Sequence, residues 1–178
     1  MKPENRKILM FIAFSLIAIS GLSAQPKSAG VSFSLGGISA SYEHVIDSES
    51  FVDIGLKAEC TDMFFGNSTF PSITASVTWN MVFATKESCN GNEIRFFAGP
   101  GMTFGAGHDL LRLPGVIIGL KGRIGAECEF DRNMTISVSL NPVIGTHIQK
   151  FEDYIDMRCY RSGLISTFLP EVGIKHRF

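Results

Sequence analysis

Four side chains in this sequence could together do covalent chemistry: His108, Asp109, His147 and Ser162 supply two imidazoles, a carboxylate and a hydroxyl. A hydroxyl nucleophile, a base to take its proton and a carboxylate to orient the base are the needs of acyl transfer or hydrolysis. With four His in 178 residues, however, such a gathering arises easily by chance. No HExxH is present, and Gly99, Gly101 and Gly105 neither match GxGxxG nor open a helix. Cys60, Cys89, Cys128 and Cys159 are spaced unlike a zinc site. No catalytic, cofactor-binding or metal-ligating residue is therefore assigned, and no cofactor is expected.

The charges are more informative than the candidate nucleophiles. The chain has 16 Lys+Arg against 17 Asp+Glu, a net charge of -1, which excludes a nucleic-acid partner recruited by bulk charge. It is 45% hydrophobic and only 19% charged, so it is not a disordered chain. Mean hydropathy is +0.19, high for a soluble domain. Yet beyond residue 24 there is no apolar run near the roughly 20 residues that a membrane-spanning helix needs.

The first 24 residues have their own organisation. Lys2, Arg6 and Lys7 form a basic head, Ile8 to Ile19 an apolar core too short to span, and Gly21-Leu22-Ser23-Ala24 a small-residue exit. These are the three parts of a secretory signal peptide, with cleavage expected after Ala24 or Ser23. An N-terminal membrane anchor is the competing reading. Residues 25–178 then form one exported domain, and four cysteines in an oxidising compartment could pair.

What places the charges is period-two alternation. Val52, Ile54, Leu56, Ala58 and Cys60 alternate with Asp53, Gly55, Lys57 and Glu59. Ile73, Ala75, Val77, Trp79, Met81 and Phe83 alternate with Ser72, Thr74, Ser76, Thr78 and Asn80. This is the pattern of strands with one apolar and one polar face. The phase flips across Gly36-Gly37, from Val31 and Phe33 on odd numbers to Ile38 and Ala40 on even ones. A two-residue hairpin within 27–45 explains the flip, and one strand bulged at the glycines is the alternative. Counting the hairpin, strands are expected near 27–35, 38–45, 51–60, 72–83, 93–107, 115–130, 133–148 and 163–178.

Eight antiparallel strands put both termini on one side. The connections on the other side, about 61–71, 108–114 and 149–162, are longer on average than 46–50, 84–92 and 131–132. That asymmetry is expected if the longer set faces outward from a bacterial outer membrane. Thirteen strand charges share the polar parity: Glu43, Asp53, Lys57, Glu59, Glu93, Arg95, Lys121, Arg123, Glu127, Glu129, Glu171, Lys175 and Arg177. A charge on a lipid face costs on the order of 2 to 4 kcal/mol at the bilayer midplane, so strict exclusion fits a membrane barrel. The polar face is also lean, with serines, threonines and glycines where a soluble exterior would be Lys- and Glu-rich. Aromatics gather towards strand ends on the apolar parity, Tyr42, Trp79, Phe83, Phe130 and Phe178 at the terminal side and Phe104 at the other, as in an aromatic girdle.

The signal peptide, the eight amphipathic strands and the ending Val172-Gly173-Ile174-Lys175-His176-Arg177-Phe178 together resemble the small outer-membrane β-barrel proteins of the OmpA/OmpX-like kind. The resemblance implies an all-β fold, an eight-stranded antiparallel transmembrane β-barrel with up-and-down meander topology. It also implies that Phe178 addresses the barrel-assembly machinery and that the barrel sits in the cell outer membrane among lipid and lipopolysaccharide, as a monomer. It carries no catalytic residue.

Within such a barrel the six basic and seven acidic polar-parity charges are expected to pair into a salt-bridged plug, since a buried charge needs a partner. Pro100, Pro142 and Pro170 lie on the lipid-facing parity and interrupt the ladder, as local bulges or as a lateral opening between the seventh and eighth strands. The topology suggests Cys60 with Cys159 on the outer side and Cys89 with Cys128 on the inner side. The expected role is structural, or a surface interaction through loop 149–162, where Phe151, Tyr154, Ile155, Met157 and Tyr160 form a contact surface. The competing functions are a lipid A acyl-modifying enzyme, although no His-x-Ser of the deacylase barrels is present, and a secreted lipocalin-like carrier with the faces reversed.

Overall fold

In the computed structural model, residues 27–60, 71–87, 92–109, 114–150 and 154–178 are described. The signal-peptide segment, Cys89 and Phe151 lie outside them, and with Cys89 the inner cysteine pairing. The alternating segments form β1 (Lys27–Ser34), β2 (Gly37–Val45), β3 (Ser50–Glu59), β4 (Ser72–Glu87), β5 (Glu93–Gly107) and β6 (Gly115–Asp131). Each pairs antiparallel with the next. They are followed by β7 (Met134–Leu140), β8 (Val143–Lys150), β9 (Ile155–Cys159), the helix α1 (Arg161–Ser166) and β10 (Glu171–Arg177). The last strand returns to the first, with Val31 opposite Ile174 and Ser28 opposite Arg177. The sheet is therefore closed. Phe178 N–H donates to Lys27 O at 2.9 Å and Lys27 N–H to Phe178 O at 3.3 Å, so both termini of the barrel meet at one end of that seam.

Ten strand segments make eight staves. β7 and β8 are one stave in continuous register against β6, with Ile124 opposite Leu140 and Lys121 opposite Val143. The ladder lapses at Asn141 and Pro142, where proline has no N–H to donate, yet Gly122 N–H still reaches Pro142 O at 2.8 Å, and its register shifts once more between Glu129 and Asp131. Pro100 sits inside β5 opposite Gly122, while the β4 ladder skips Trp79 and Asn80. The register shift nearby falls between Val82 and Ala84 rather than at the proline.

The eighth stave departs from the expected continuous strand over 163–178. Its outer part is β9, within the segment expected to be loop, and its inner part is β10; α1 and the turn to Pro170 stand between them. Thr146 pairs with Cys159 and Ser139 with Glu171, so seven steps along one stave face twelve along the other. The excess leaves the ladder as helix. The ladder between the seventh and eighth staves is thus interrupted at mid-height, and α1 occupies the interruption.

The first hairpin forms, displaced by one residue from Gly36-Gly37. Phe33 pairs with Ile38 and Ser34 with Gly37, leaving Leu35 and Gly36 as the connection. Gly37 has φ +145°, and a Cβ there would lie 2.1 Å from Ala58 O, so only glycine fits. The expected outer cysteine pair is not formed: Cys60 and Cys159 are both free. β1 and β2 lie between the staves that carry them, a distance of about 14 Å at strand spacing, beyond the reach of a disulfide.

Burial is inverted relative to a soluble domain. Among the described residues, 24 polar or charged side chains are buried and only four hydrophobic ones, Phe51, Phe97, Ile117 and Tyr160. Large apolar side chains such as Phe33, Leu56, Val77, Met102, Leu120 and Ile144 are exposed instead, all on the outward parity. A barrel with reversed faces, as in a lipocalin, would bury this set. No described helix is long and apolar enough to cross a membrane. Among the described residues, strands are the only elements that could.

Candidate functional site

The lumen is where the sequence places its chemistry. Of the thirteen polar-parity charges, six are buried (Glu43, Asp53, Glu59, Arg123, Glu127 and Lys175), six are half-buried and only Glu93 is exposed. Towards the terminal end, Lys175 Nζ donates to Glu43 Oε2 at 2.5 Å and to Glu127 Oε2 at 2.9 Å. Arg95 Nη2 pairs with the other oxygen of Glu127, and Arg177 with Glu129 at 3.2 Å. One step further in, Arg123 Nη1 meets Asp53 Oδ2 at 2.6 Å. Removing charges of this kind from water is costly, and each is here offset by an opposite charge at contact distance.

Two rings complete this plug, and the alternation did not announce them. Phe51 and Phe97 stand on the polar parity and pack edge to face with centroids 5.3 Å apart. Lys175 Nζ lies 5.6 Å from the Phe51 centroid and 5.8 Å from that of Phe97, and the Arg123 guanidinium lies 5.2 Å from Phe97. Both cations therefore face π-surfaces as well as carboxylates. Their parity, shared with Asp53 and Arg95, was the available signal.

Above the plug the lumen widens into a cavity of about 40 Å³ lined by Ser41, Lys57, Thr74, Ser76, Lys121 and Glu171 among others. Glu171 is clasped at the junction of the staves: Ser32 and Ser39 donate to its Oε1 at 2.5 and 2.6 Å, and Asn141 Nδ2 to its Oε2 at 3.3 Å. Lys57 approaches it at 3.9 Å. Tyr160 closes the far side. It was expected on an exposed loop surface, but it is 2% exposed and donates its hydroxyl to Glu59. Of the other residues named for that surface, Tyr154, Ile155 and Met157 are exposed.

The residues that could have formed an acyl-transfer site are brought to one end of the barrel and used otherwise. Asp109 accepts from Ser162 Oγ at 3.0 Å and from the backbone N–H groups of Ser162 and Arg161 at 2.8 and 3.1 Å. This carboxylate caps the first turn of α1 from another stave. His147 Nε2 bonds Gly107 O at 3.0 Å and Ser162 Oγ donates directly to Asp109, so His147 does not link that hydroxyl to the carboxylate. Ser162 is also 1% exposed, closed to a substrate carbonyl. Among the described residues no group of three His, Cys, Asp or Glu is placed to hold a metal.

No protein-family model matches this chain, and no curated protein matches it. Among solved structures, a major outer membrane protein from Thermus thermophilus is similar at 10% identity and a TM-score of 0.47, over 87% of this chain and 100% of its own. Ail, the attachment invasion locus protein of Yersinia pestis, solved with the heparin analogue sucrose octasulfate, is similar at 13% identity and a TM-score of 0.38, over 86% of this chain and 94% of its own.

Proposed function

We propose that this chain is an exported outer-membrane barrel whose lumen is sealed by side chains, acting in envelope structure or through the loops at its outer end rather than as an enzyme. The observation that carries this is the sorting of residues through the wall: charges inside and most of them paired, large apolar side chains outside. Only a hydrocarbon surround makes that arrangement favourable. Its surround is outer-membrane lipid and lipopolysaccharide, and Phe178, exposed beside the closing seam, is the residue presented to the assembly machinery. A selective pore would carry a ring of one sign, whereas the charges here are of both signs in nearly equal number.

Fractionation with a heat-modifiability gel tests the location. The protein is expected in the outer-membrane fraction, with a mobility that changes on boiling; a soluble periplasmic band with no shift would overturn it. Planar-bilayer recording tests the seal: no steady ion conductance is expected from the purified protein, and stepwise channels would refute a plugged lumen.

A further inference from the structure

The cavity above the plug is lined by the cations Lys57, Lys121 and Arg123, by the carboxylates of Asp53, Glu59 and Glu171 and by a set of hydroxyls. Lys121 Nζ, projecting from β6, donates to Ser76 Oγ at 2.9 Å and has no carboxylate within 4.0 Å. Its ammonium is a partly buried charge whose one protein partner is a neutral hydroxyl. Because Ser76 Oγ accepts that bond, its own proton is directed elsewhere. Ser41 and Thr74, also on the lining, have hydroxyls with no bonding partner among the described residues. Lys57 has only the 3.9 Å approach to Glu171. The three carboxylates on the lining are already engaged, Asp53 by Arg123, Glu59 by Tyr160 and Glu171 by Ser32, Ser39 and Asn141. Among the fully buried acceptors of the lining, Asn141 Oδ1 and Asp53 Oδ2 have no hydrogen-bond partner, the latter facing Arg123.

We infer that this cavity is a binding site for a small monovalent inorganic anion of the size of chloride, held by Lys121 with the hydroxyls of Ser76, Ser41 and Thr74. An ammonium with no carboxylate at contact distance is costly to enclose, and an anion lowers that cost while accepting from hydroxyls that have no other acceptor. The volume, about 40 Å³, has room for an ion of that size.

Bromide is the probe. The full-length mature barrel in detergent is crystallised from sodium bromide and its anomalous scattering mapped. Its thermal unfolding is followed in sodium bromide and in sodium gluconate at equal ionic strength. A bromide peak about 3.5 Å from Lys121 Nζ is expected, together with a higher unfolding temperature in bromide. In Lys121→Gln, checked for folding by the heat-modifiability gel, both should be lost. Water alone at the site, or a Lys121 swung onto a carboxylate, would overturn the assignment. So would a peak without any difference in unfolding between the two salts, which would mean an adventitious ion only. The wild-type measurements decide the matter even if the variant does not fold.

Discussion

Lys175 is the hub of the lumen, bonded to Glu43 and Glu127 and facing Phe51 and Phe97, with 4% of its surface exposed. Replacing it by methionine keeps the length of the side chain and removes the charge. Glu43 then has no ammonium beside it, and Glu127 retains only Arg95. Breaking a buried pair from one side costs on the order of 3 to 5 kcal/mol, far more than an exposed pair is worth. Lys175→Met is therefore expected to unfold at markedly lower urea concentration in a folding-into-vesicles assay. Arg158→Met, which breaks the exposed pair with Asp156, should change the midpoint little. Equal effects of the two would show that the lumen is wetter than its geometry implies.

At the scale of elements the informative piece is the interrupted eighth stave. Its outward residues are Ile155 and Met157 on odd numbers, then Val172 and Ile174 on even ones. Period two cannot change phase inside a regular strand, so something other than strand must intervene. The sequence contained that phase change, but β9 shows only five residues of alternation and looked like loop. The same short alternation turns Tyr160 inward. Elsewhere the parity was legible from the charges of β2, β3, β5, β6 and β10, and on β4 from the row of serines and threonines. Phe51, Phe97 and Ile117 were not legible as lumen residues, since an apolar residue on the polar parity is recognised only once neighbouring staves are in register. The cap on α1 was hidden for a different reason: Asp109 and Ser162 are distant in sequence, and only closure of the barrel makes them neighbours. A six-residue helix is not stable alone, so it depends on that carboxylate. Asp109→Ala is expected to cost about 1 to 2 kcal/mol locally. Hydrogen exchange should accelerate at the amides of 161–167 while those of β7 and β10 stay protected. Acceleration spread over both flanking strands would mean that α1 is integral to the ladder instead of standing in a gap in it.

For the whole molecule, high mean hydropathy without a membrane helix resolves into an apolar coat around a charged interior, and the single tryptophan can report which solvent that coat meets. Trp79 points outward from β4, opposite Val52, and is 53% exposed near the terminal end of the barrel. If the barrel spans a bilayer with the termini at one interface, the indole lies in the acyl region close to the headgroups, where an amphipathic ring is most favourable. In vesicles of brominated phospholipid its fluorescence should be strongly quenched, more by bromines placed near the headgroup than by bromines deep in the chain. Aqueous iodide should quench it weakly. A carrier with water outside would give the reverse: iodide would reach the indole freely and bromolipid would leave it unchanged. Val77, two residues along the same face and 45% exposed, supplies the independent control. Val77→Lys places a charge nearer the midplane and is expected to cost about 2 to 4 kcal/mol in vesicles. In a water-exposed barrel the same substitution would be nearly neutral, so the two measurements must agree on the solvent for the membrane assignment to stand.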